Sequence, residues 1–328
     1  MDNAKDALGE LIHPLSRDEF LTRHWGSSAV YVRGQANKFP HLATLSNLPA
    51  ALMGPIARGP VAPSLRRATY RDADGHSQSI NQPPLQIANA LFEAGMTLVF
   101  SGTNNDTQLA AFVHGVKAAL QYPGGANAEL FLSPDDGGLP WHYDANHNFV
   151  LQLEGTKRWE VGRGVAVRAA PFNLHLFQMD RAEYRDALEL GEIRVEPPKD
   201  QDVDEHLLQT GDVLYVPPGA WHRTFAQGRS YSLSLVLIPL TFARVLRATL
   251  TLLAFRTRDW SEDLHLVGWR KRMDGPPGEP LATFLAERVE ELRKEVEQLT
   301  PEDLVRLARL WDLGEFGAMM RMATQQVL

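Results

Sequence analysis

The chain has 328 residues, 44% of them hydrophobic and 22% charged, with no cysteine. A chain of this size and balance can bury its own core, and without thiols it holds no disulfide framework, thiolate zinc site, iron–sulfur cluster or cysteine nucleophile, so any metal falls to His, Asp or Glu. The formal net charge of −7 argues against a broad nucleic-acid coating, and no direct nucleic-acid binding is expected. The segment Met1 to Glu10 is polar and lacks the charged-then-apolar layout of a secretory signal. No apolar run approaches the ~18 residues that suggest a membrane span. The expected location is therefore cytoplasmic, with no membrane partner.

Along the chain, Ser16-Arg17-Asp18-Glu19 reads as a helix N-cap with a reciprocal Glu, leading into Phe20, Leu21 and Trp25 and ending at Gly26. Ala29 to Arg33 reads as a strand, and Asn37 to Pro63 as a Pro/Gly-punctuated stretch. Thr69 to Arg71 and His76 to Ile80 flank an Asp-Gly hairpin signal at Asp74-Gly75. A short strand at Thr97 to Phe100 precedes a helix from Thr107 to Leu120, with Leu109, Phe112, Val113 and Val116 on one side. From Leu130 to Leu237 the pattern changes to short apolar runs cut by Gly and Pro. Strands are expected at Glu129–Leu132, Phe149–Leu153, Arg158–Val161, Asp212–Val216 and Tyr231–Ile238, a spacing that suggests a sandwich or barrel. Between Asp180 and Glu205 lies an insertion with ten acids against four bases.

After Pro239 the period becomes helical. Phe242, Val245, Leu246, Thr249, Leu250 and Leu253 share a face, and Leu281, Leu285, Val289, Leu292, Val296 and Leu299 recur at helical steps. A further helix starts at Thr300-Pro301-Glu302-Asp303. The expected division is a first domain over residues 1–239 and a helical module over 240–328, whose stripes read as core or a homodimer seam.

The stretch that carries chemistry is Leu139-Pro140-Trp141-His142-Tyr143-Asp144. On a strand, His142 and Asp144 point the same way and can share one metal ion. A second segment, Gly211 to His222, reads as turn, apolar strand, tight turn and His, and a barrel can bring that His opposite the first pair. His142, Asp144 and His222 then give two neutral imidazoles and one carboxylate on one face of a metal, a set that suits non-haem Fe(II) and leaves positions open. Lys157 follows in Leu151-Gln152-Leu153-Glu154-Gly155-Thr156-Lys157-Arg158-Trp159. If Gly155 turns the chain, Lys157 points into the barrel, where a lysine is costly unless it meets an anion; the same stretch also reads as an exposed strand lysine. His147 reads as a solvated loop or strand histidine, and Trp141 and Trp221 as packing residues.

These blocks, with Pro217-Pro218-Gly219-Ala220-Trp221-His222, resemble the JmjC family of Fe(II)- and 2-oxoglutarate-dependent oxygenases, and within it the cupin-type ribosomal oxygenases, which are protein hydroxylases. The likeness runs in order from about residue 16 to 238. It implies a mainly β fold with α additions, a double-stranded β-helix of jelly-roll or cupin type. It implies Fe(II) on His142, Asp144 and His222, with 2-oxoglutarate held by Lys157 and O2 as co-substrate. Asn148 matches a position where some JmjC hydroxylases place an Asn near the co-substrate, and it equally fits an ordinary polar strand residue. Where these oxygenases often use a Tyr beside the lysine, this chain has Phe131, which leaves Ser133, Ser232 and Ser234 as candidates to replace it. The tail shows helices without a strand pair, which favours a dimerisation module over a complete winged helix.

The expected activity is hydroxylation of a side chain of a protein or peptide, coupled to conversion of 2-oxoglutarate to succinate and CO2. Two other readings compete: a JmjC lysyl demethylase, which uses the same cofactors, and a metal-binding cupin without oxygenase activity. The second of these has no use for a buried lysine at position 157. The acidic insertion is expected either to attract a basic polypeptide or to be a plain solvated loop.

Overall fold

The computed structural model describes residues 6–39, 42, 64–71, 77–101, 107–179, 181–191, 193–196, 198–256, 279–304 and 306. The chain divides into two compact units, residues 1–239 and 240–328. The first opens with α1 (Ala7–Ile12) and α2 (Arg17–Arg23), followed by β1 (Val30–Val32). Ser16 caps α2 as its side chain accepts the Glu19 N–H at 3.1 Å, while the Glu19 carboxylate pairs forward with Arg23 at 3.2 Å. β2 (Ser64–Arg71) and β3 (Ser77–Asn81) pair antiparallel on either side of the Asp-Gly signal. That turn, and most of the punctuated stretch before Pro63, lie outside the described residues. α3 (Ala88–Glu93), β4 (Thr97–Ser101) and α4 (Thr107–Leu120) follow, with Leu109, Phe112, Val113 and Val116 of α4 all buried.

The barrel is built by β5 (Gly125–Ser133), β6 (His142–Tyr143), β7 (His147–Gly162), β8 (Leu174–His175), α5 (Ala182–Leu190), β9 (Val203–Leu208), β10 (Val213–Val216) and β11 (His222–Ile238). Among the described residues eleven strands are linked by hydrogen bonds. β7 and β11 are long enough to serve two sheets. Their first pairing, His147–Glu154 against Tyr231–Leu237, lies in the path β1-β10-β7-β11-β5-β4-β2-β3. Their second, Thr156–Val161 against His222–Gln227, is flanked by β9 on one side and by β6 and β8 on the other. Two sheets sharing bent strands in this way form the double-stranded β-helix.

The sequence pattern predicts two separate strands broken at Glu154-Gly155, whereas β7 runs through. Gly155 bends it with φ +72, and a Cβ there would lie 2.1 Å from the Arg229 carbonyl oxygen. The bend also switches the alternation. Before it Phe149 and Leu151 belong to the outer core and Val150 to the barrel interior; after it Trp159 and Val161 join that interior cluster. The main core lies on the outer face of the larger sheet, where Phe149, Leu151, Leu233 and Leu235 pack with Leu8, Leu11, Phe20, Leu109 and Phe112.

Two features escaped the sequence pattern. β6 and β8 have two residues each, too short for any periodicity, and the charged insertion contains α5 and the first residues of β9. The insertion is packed through Leu188, Tyr184, Ile193 and Val195 against Tyr143 and Trp221.

In the second unit, α6 (Phe242–Arg256) and α7 (Glu279–Glu297) are followed by a capped helical start. Thr300 Oγ1 accepts the Asp303 N–H at 3.2 Å, and Asp303 Oδ2 accepts the Thr300 N–H at 3.1 Å. Among the described residues this unit holds helices and no strand. Phe242, Leu246, Leu285, Val289 and Val296 are exposed.

Candidate metal centre

Three chain segments bring His142, Asp144 and His222 together. β6 pairs with β11 so that His142 stands opposite His222, and the two ring centroids are 4.1 Å apart. The approach is pinned on both sides. Thr224 N–H donates to the Leu139 carbonyl and Thr224 Oγ1 accepts the Leu139 N–H, each at 2.9 Å. At the Pro-Pro-Gly turn, Gly219 (φ +76) donates its N–H to the Asp144 carbonyl at 2.8 Å, and a Cβ on it would lie 2.0 Å from the Val167 carbonyl oxygen. Glycine is required there by both conformation and space.

One ligand atom from each of the three side chains lies within 4.8 Å of the others. His142 Nδ1 donates to the Pro140 carbonyl at 2.8 Å and His222 Nδ1 to the Ala220 carbonyl at 3.0 Å. Since a carbonyl only accepts, each Nδ1 carries the proton and each Nε2 keeps its lone pair for the shared space. His222 Nε2 is 3.8 Å from Asp144 Oδ2. Burial, then the neighbouring His222 and His175, hold His142 well below the usual histidine range. A neutral imidazole is the form a metal needs.

Asn148 and Lys157 occupy different parts of this interior. Asn148 Nδ2 donates to Asp144 Oδ2 at 2.7 Å, so it orients the carboxylate of the triad. Lys157 is only 2% exposed, which removes the exposed-strand alternative. Its Nζ donates to Ser133 Oγ at 3.0 Å and lies 5.9 Å from the centre of the Phe131 ring. Thr97 Oγ1 donates to the same Ser133 oxygen at 3.1 Å. Of the three serines, Ser133 is thus joined to Lys157, while Ser232 and Ser234 stand opposite Phe131 and Glu129.

His147 is not solvated. It is 7% exposed, its ring stacks on Trp25 at 3.9 Å, and its Nδ1 is hydrogen-bonded to the Tyr215 hydroxyl at 2.8 Å. The Tyr215 hydroxyl also accepts the Gly26 N–H at 2.8 Å. The ring therefore fastens the N-terminal segment to the sheet, and burial lowers its pKa to about 4. Trp221 packs as expected, donating from Nε1 to the Glu196 carbonyl at 2.8 Å, and Trp141 lies under the Arg223 guanidinium at 4.8 Å. Two further rings lie near the triad. Trp159 lies parallel to His222 at 5.7 Å, and His175 of β8 stacks on His142. Trp159 follows Lys157 by two, so strand alternation alone places it in the interior once Lys157 is there.

A His–Asp–His face inside a double-stranded β-helix is the arrangement of a JmjC-type fold, and residues 116–245 match the family model of the JmjC domain. The chain thus carries a JmjC domain over those residues. It is 24% identical over 313 residues to the uncharacterized protein YxbC of Bacillus subtilis, covering 92% of this chain and 90% of that one. It is 31% identical over 240 residues to ribosomal oxygenase 1 of Rattus norvegicus, which is 69% of this chain and 36% of the relative, so it spans about a third of that protein's length. Among solved structures, the X-ray structure of E. coli ycfD aligns with a TM-score of 0.51 at 19% identity, covering 88% of this chain and 69% of that chain, a likeness of fold. No helix among the described residues is long and apolar enough to cross a membrane.

Proposed function

We propose that the protein is an Fe(II)- and 2-oxoglutarate-dependent dioxygenase that hydroxylates a side chain of a protein or peptide. The observation that carries the reading is the coexistence of the His142–Asp144–His222 face with a lysine buried to 2% exposure in the same barrel interior. The donor set fits Fe(II): two imidazoles presenting Nε2 and one carboxylate fill one face and leave others open. Bound there, iron with 2-oxoglutarate and dioxygen supplies the oxidation of an unactivated C–H bond, with succinate and CO2 as co-products.

The chain's own contribution is placement. His142, Asp144 and His222 hold the metal, and Asn148 fixes the plane of the Asp144 carboxylate. Lys157 meets the distal carboxylate of 2-oxoglutarate. Ser133, with Lys157 and Thr97 donating to its oxygen, keeps its own proton for that carboxylate and takes the place of the tyrosine that Phe131 displaces. The name of the rat relative points to ribosomal proteins as the substrate class, and the basic character of such proteins suits the acidic insertion. The exposed apolar residues of α6 and α7 support a homodimer formed through residues 240–328, with residues 1–239 as the catalytic domain.

The test is spectroscopic. Under argon, adding 2-oxoglutarate to the Fe(II) protein is expected to produce a visible charge-transfer absorption band, and a protein without the band is not this kind of oxygenase. Lys157→Ala is expected to weaken 2-oxoglutarate binding at least tenfold more than metal binding. A metal-binding cupin of other function would lose neither selectively.

A further inference from the structure

A second hydroxyl stands beside Ser133. β11 pairs with β5 so that Ser230 lies directly opposite Ser133, and cross-strand partners present their side chains on one face of a sheet. The bend that turns Lys157 inward seats on the same residue, because the Cβ that Gly155 lacks would lie 3.3 Å from Ser230 Cα. Ser133, Ser230, Thr97, Lys157 and Gln152 are each no more than 2% exposed. They form a buried polar cluster.

The hydrogen bonds of this cluster leave two protons over. Gln152 Nε2 donates to the Glu154 carbonyl and to Ser230 Oγ, each at 2.9 Å. A carbonyl only accepts, so that end of the carboxamide is its NH2 group, and both hydrogens are spent. Ser230 Oγ is therefore an acceptor toward Gln152, and its own proton finds no acceptor among the described residues. Ser133 stands in the same condition, with its oxygen taken by Lys157 and Thr97. A serine with a purely local task in a strand donates to a nearby backbone carbonyl, which neither of these does. Two buried hydroxyl protons beside an ammonium group fit one kind of guest, a negatively charged group that accepts from several directions, which is a carboxylate.

We propose that Ser230 is a second hydroxyl donor to the distal carboxylate of 2-oxoglutarate, and that Gln152 is a positioning residue that occupies the Ser230 oxygen and so turns its proton toward that carboxylate. This rests on the dioxygenase reading above and deepens it, since the distal group is then held by hydroxyls from two facing strands, β5 and β11, together with Lys157. The register permits it. The pairing of β7 with β11 is irregular on both sides of Tyr231, and Gln152, which stands opposite Ser232, bonds to Ser230.

The test uses the full chain loaded with Fe(II) under argon and two 2-oxo acids, 2-oxoglutarate and 2-oxobutyrate, the second having the same chelating end and no distal carboxylate. Each is titrated through its charge-transfer band, and metal affinity is measured separately with a chelator as competitor. Ser230→Ala is expected to weaken 2-oxoglutarate binding about tenfold, the loss of one hydrogen bond to a charged group, and to leave 2-oxobutyrate and metal binding unchanged. Gln152→Met leaves the Ser230 hydroxyl free to turn and is expected to weaken 2-oxoglutarate selectively as well. In the Ser230→Ala background the same change is expected to add nothing, because its effect passes through that hydroxyl. Equal losses for both acids, a loss of metal affinity, or a Ser230→Ala variant that binds 2-oxoglutarate as the parent does overturns the inference, and a further loss in the double variant removes the role of Gln152. A parent protein without a band for either acid removes the oxygenase reading itself. A Lys157→Ala variant that discriminates between the acids where Ser230→Ala does not leaves that reading standing and removes only the role of Ser230.

Discussion

On the proposed function, Asn148 serves the metal and Ser133 the co-substrate. Asn148 holds Asp144 Oδ2 at 2.7 Å, so Asn148→Ala frees the carboxylate to rotate, and metal affinity is expected to fall by about 10- to 100-fold, as for other outer partners of metal ligands. Metal titration with a chelator as competitor measures it. Ser133→Ala removes a hydrogen bond to a charged group, worth roughly 1.5 kcal/mol or more, so 2-oxoglutarate binding is expected to weaken about tenfold with metal affinity intact. The opposite pattern for either variant would show that the two roles are misassigned. The triad was legible in the sequence because H-x-D on a strand and a His after a Pro-Pro-Gly turn each have a geometric meaning. Ser133 was one of three candidates because register, which decides what stands beside Lys157, is a property of strands far apart in sequence. His175 carried no signal at all, since a two-residue strand has no period.

At the scale of the element, the legible part was the list of apolar runs and the illegible part was their continuity. Gly155 looks like a break because glycine usually punctuates, yet in β7 it is the bend that lets one strand serve two sheets and that turns Lys157 inward. Gly155 and Gly164 make a controlled comparison. Both have positive φ, +72 and +77, but a Cβ on Gly155 would sit 2.1 Å from the Arg229 carbonyl oxygen while nothing lies within 4 Å of one on Gly164. Gly164→Ala is therefore expected to cost only the conformational penalty, about 1–2 kcal/mol. Gly155→Ala is expected to cost more than twice that, because backbone must also move apart in the middle of a sheet. Urea unfolding of the two variants side by side gives the comparison, and equal losses would mean that the steric conflict at Gly155 is relieved without breaking the bend.

For the molecule as a whole, the net charge of −7 has an address in the insertion. Asp186, Glu189, Asp200 and Asp202 are exposed there, whereas Glu205 and Asp204 are engaged with Arg158 and Arg163. The insertion packs on Tyr143 and Trp221, which adjoin the two triad histidines, so on the proposed function its charge stands where it would draw in a basic polypeptide at long range. Replacing those four exposed acids with Asn or Gln is expected to slow reaction with a basic peptide at low salt and to make little difference at 0.5 M salt, where the Debye length is only a few Å.

At the same scale, a buried neutral histidine contributes to the acid stability of the fold. His147 has an ordinary pKa of 6.5 when the chain is unfolded and about 4 when its ring lies between Trp25 and Tyr215. Between those two values the unfolded chain binds a proton that the folded chain refuses, so stability contributed by the neutral ring is present in full above pH 6.5 and is lost as pH falls toward 4. At about 1.4 kcal/mol per pH unit the loss over that window is about 3 kcal/mol. Histidines 142 and 175 are also held neutral, but they sit beside the metal, so the contribution of His147 is isolated by difference. His147→Phe keeps an aromatic ring against Trp25 and removes the proton-binding site. Unfolding followed by tryptophan fluorescence from pH 8 to pH 4.5 is expected to show the parent losing stability faster than the variant below pH 6.5, with the two curves parallel above it. Parallel curves over the whole range would mean that the His147 ring is accessible to protons in the folded state, and that the N-terminal segment is not held to the sheet through it.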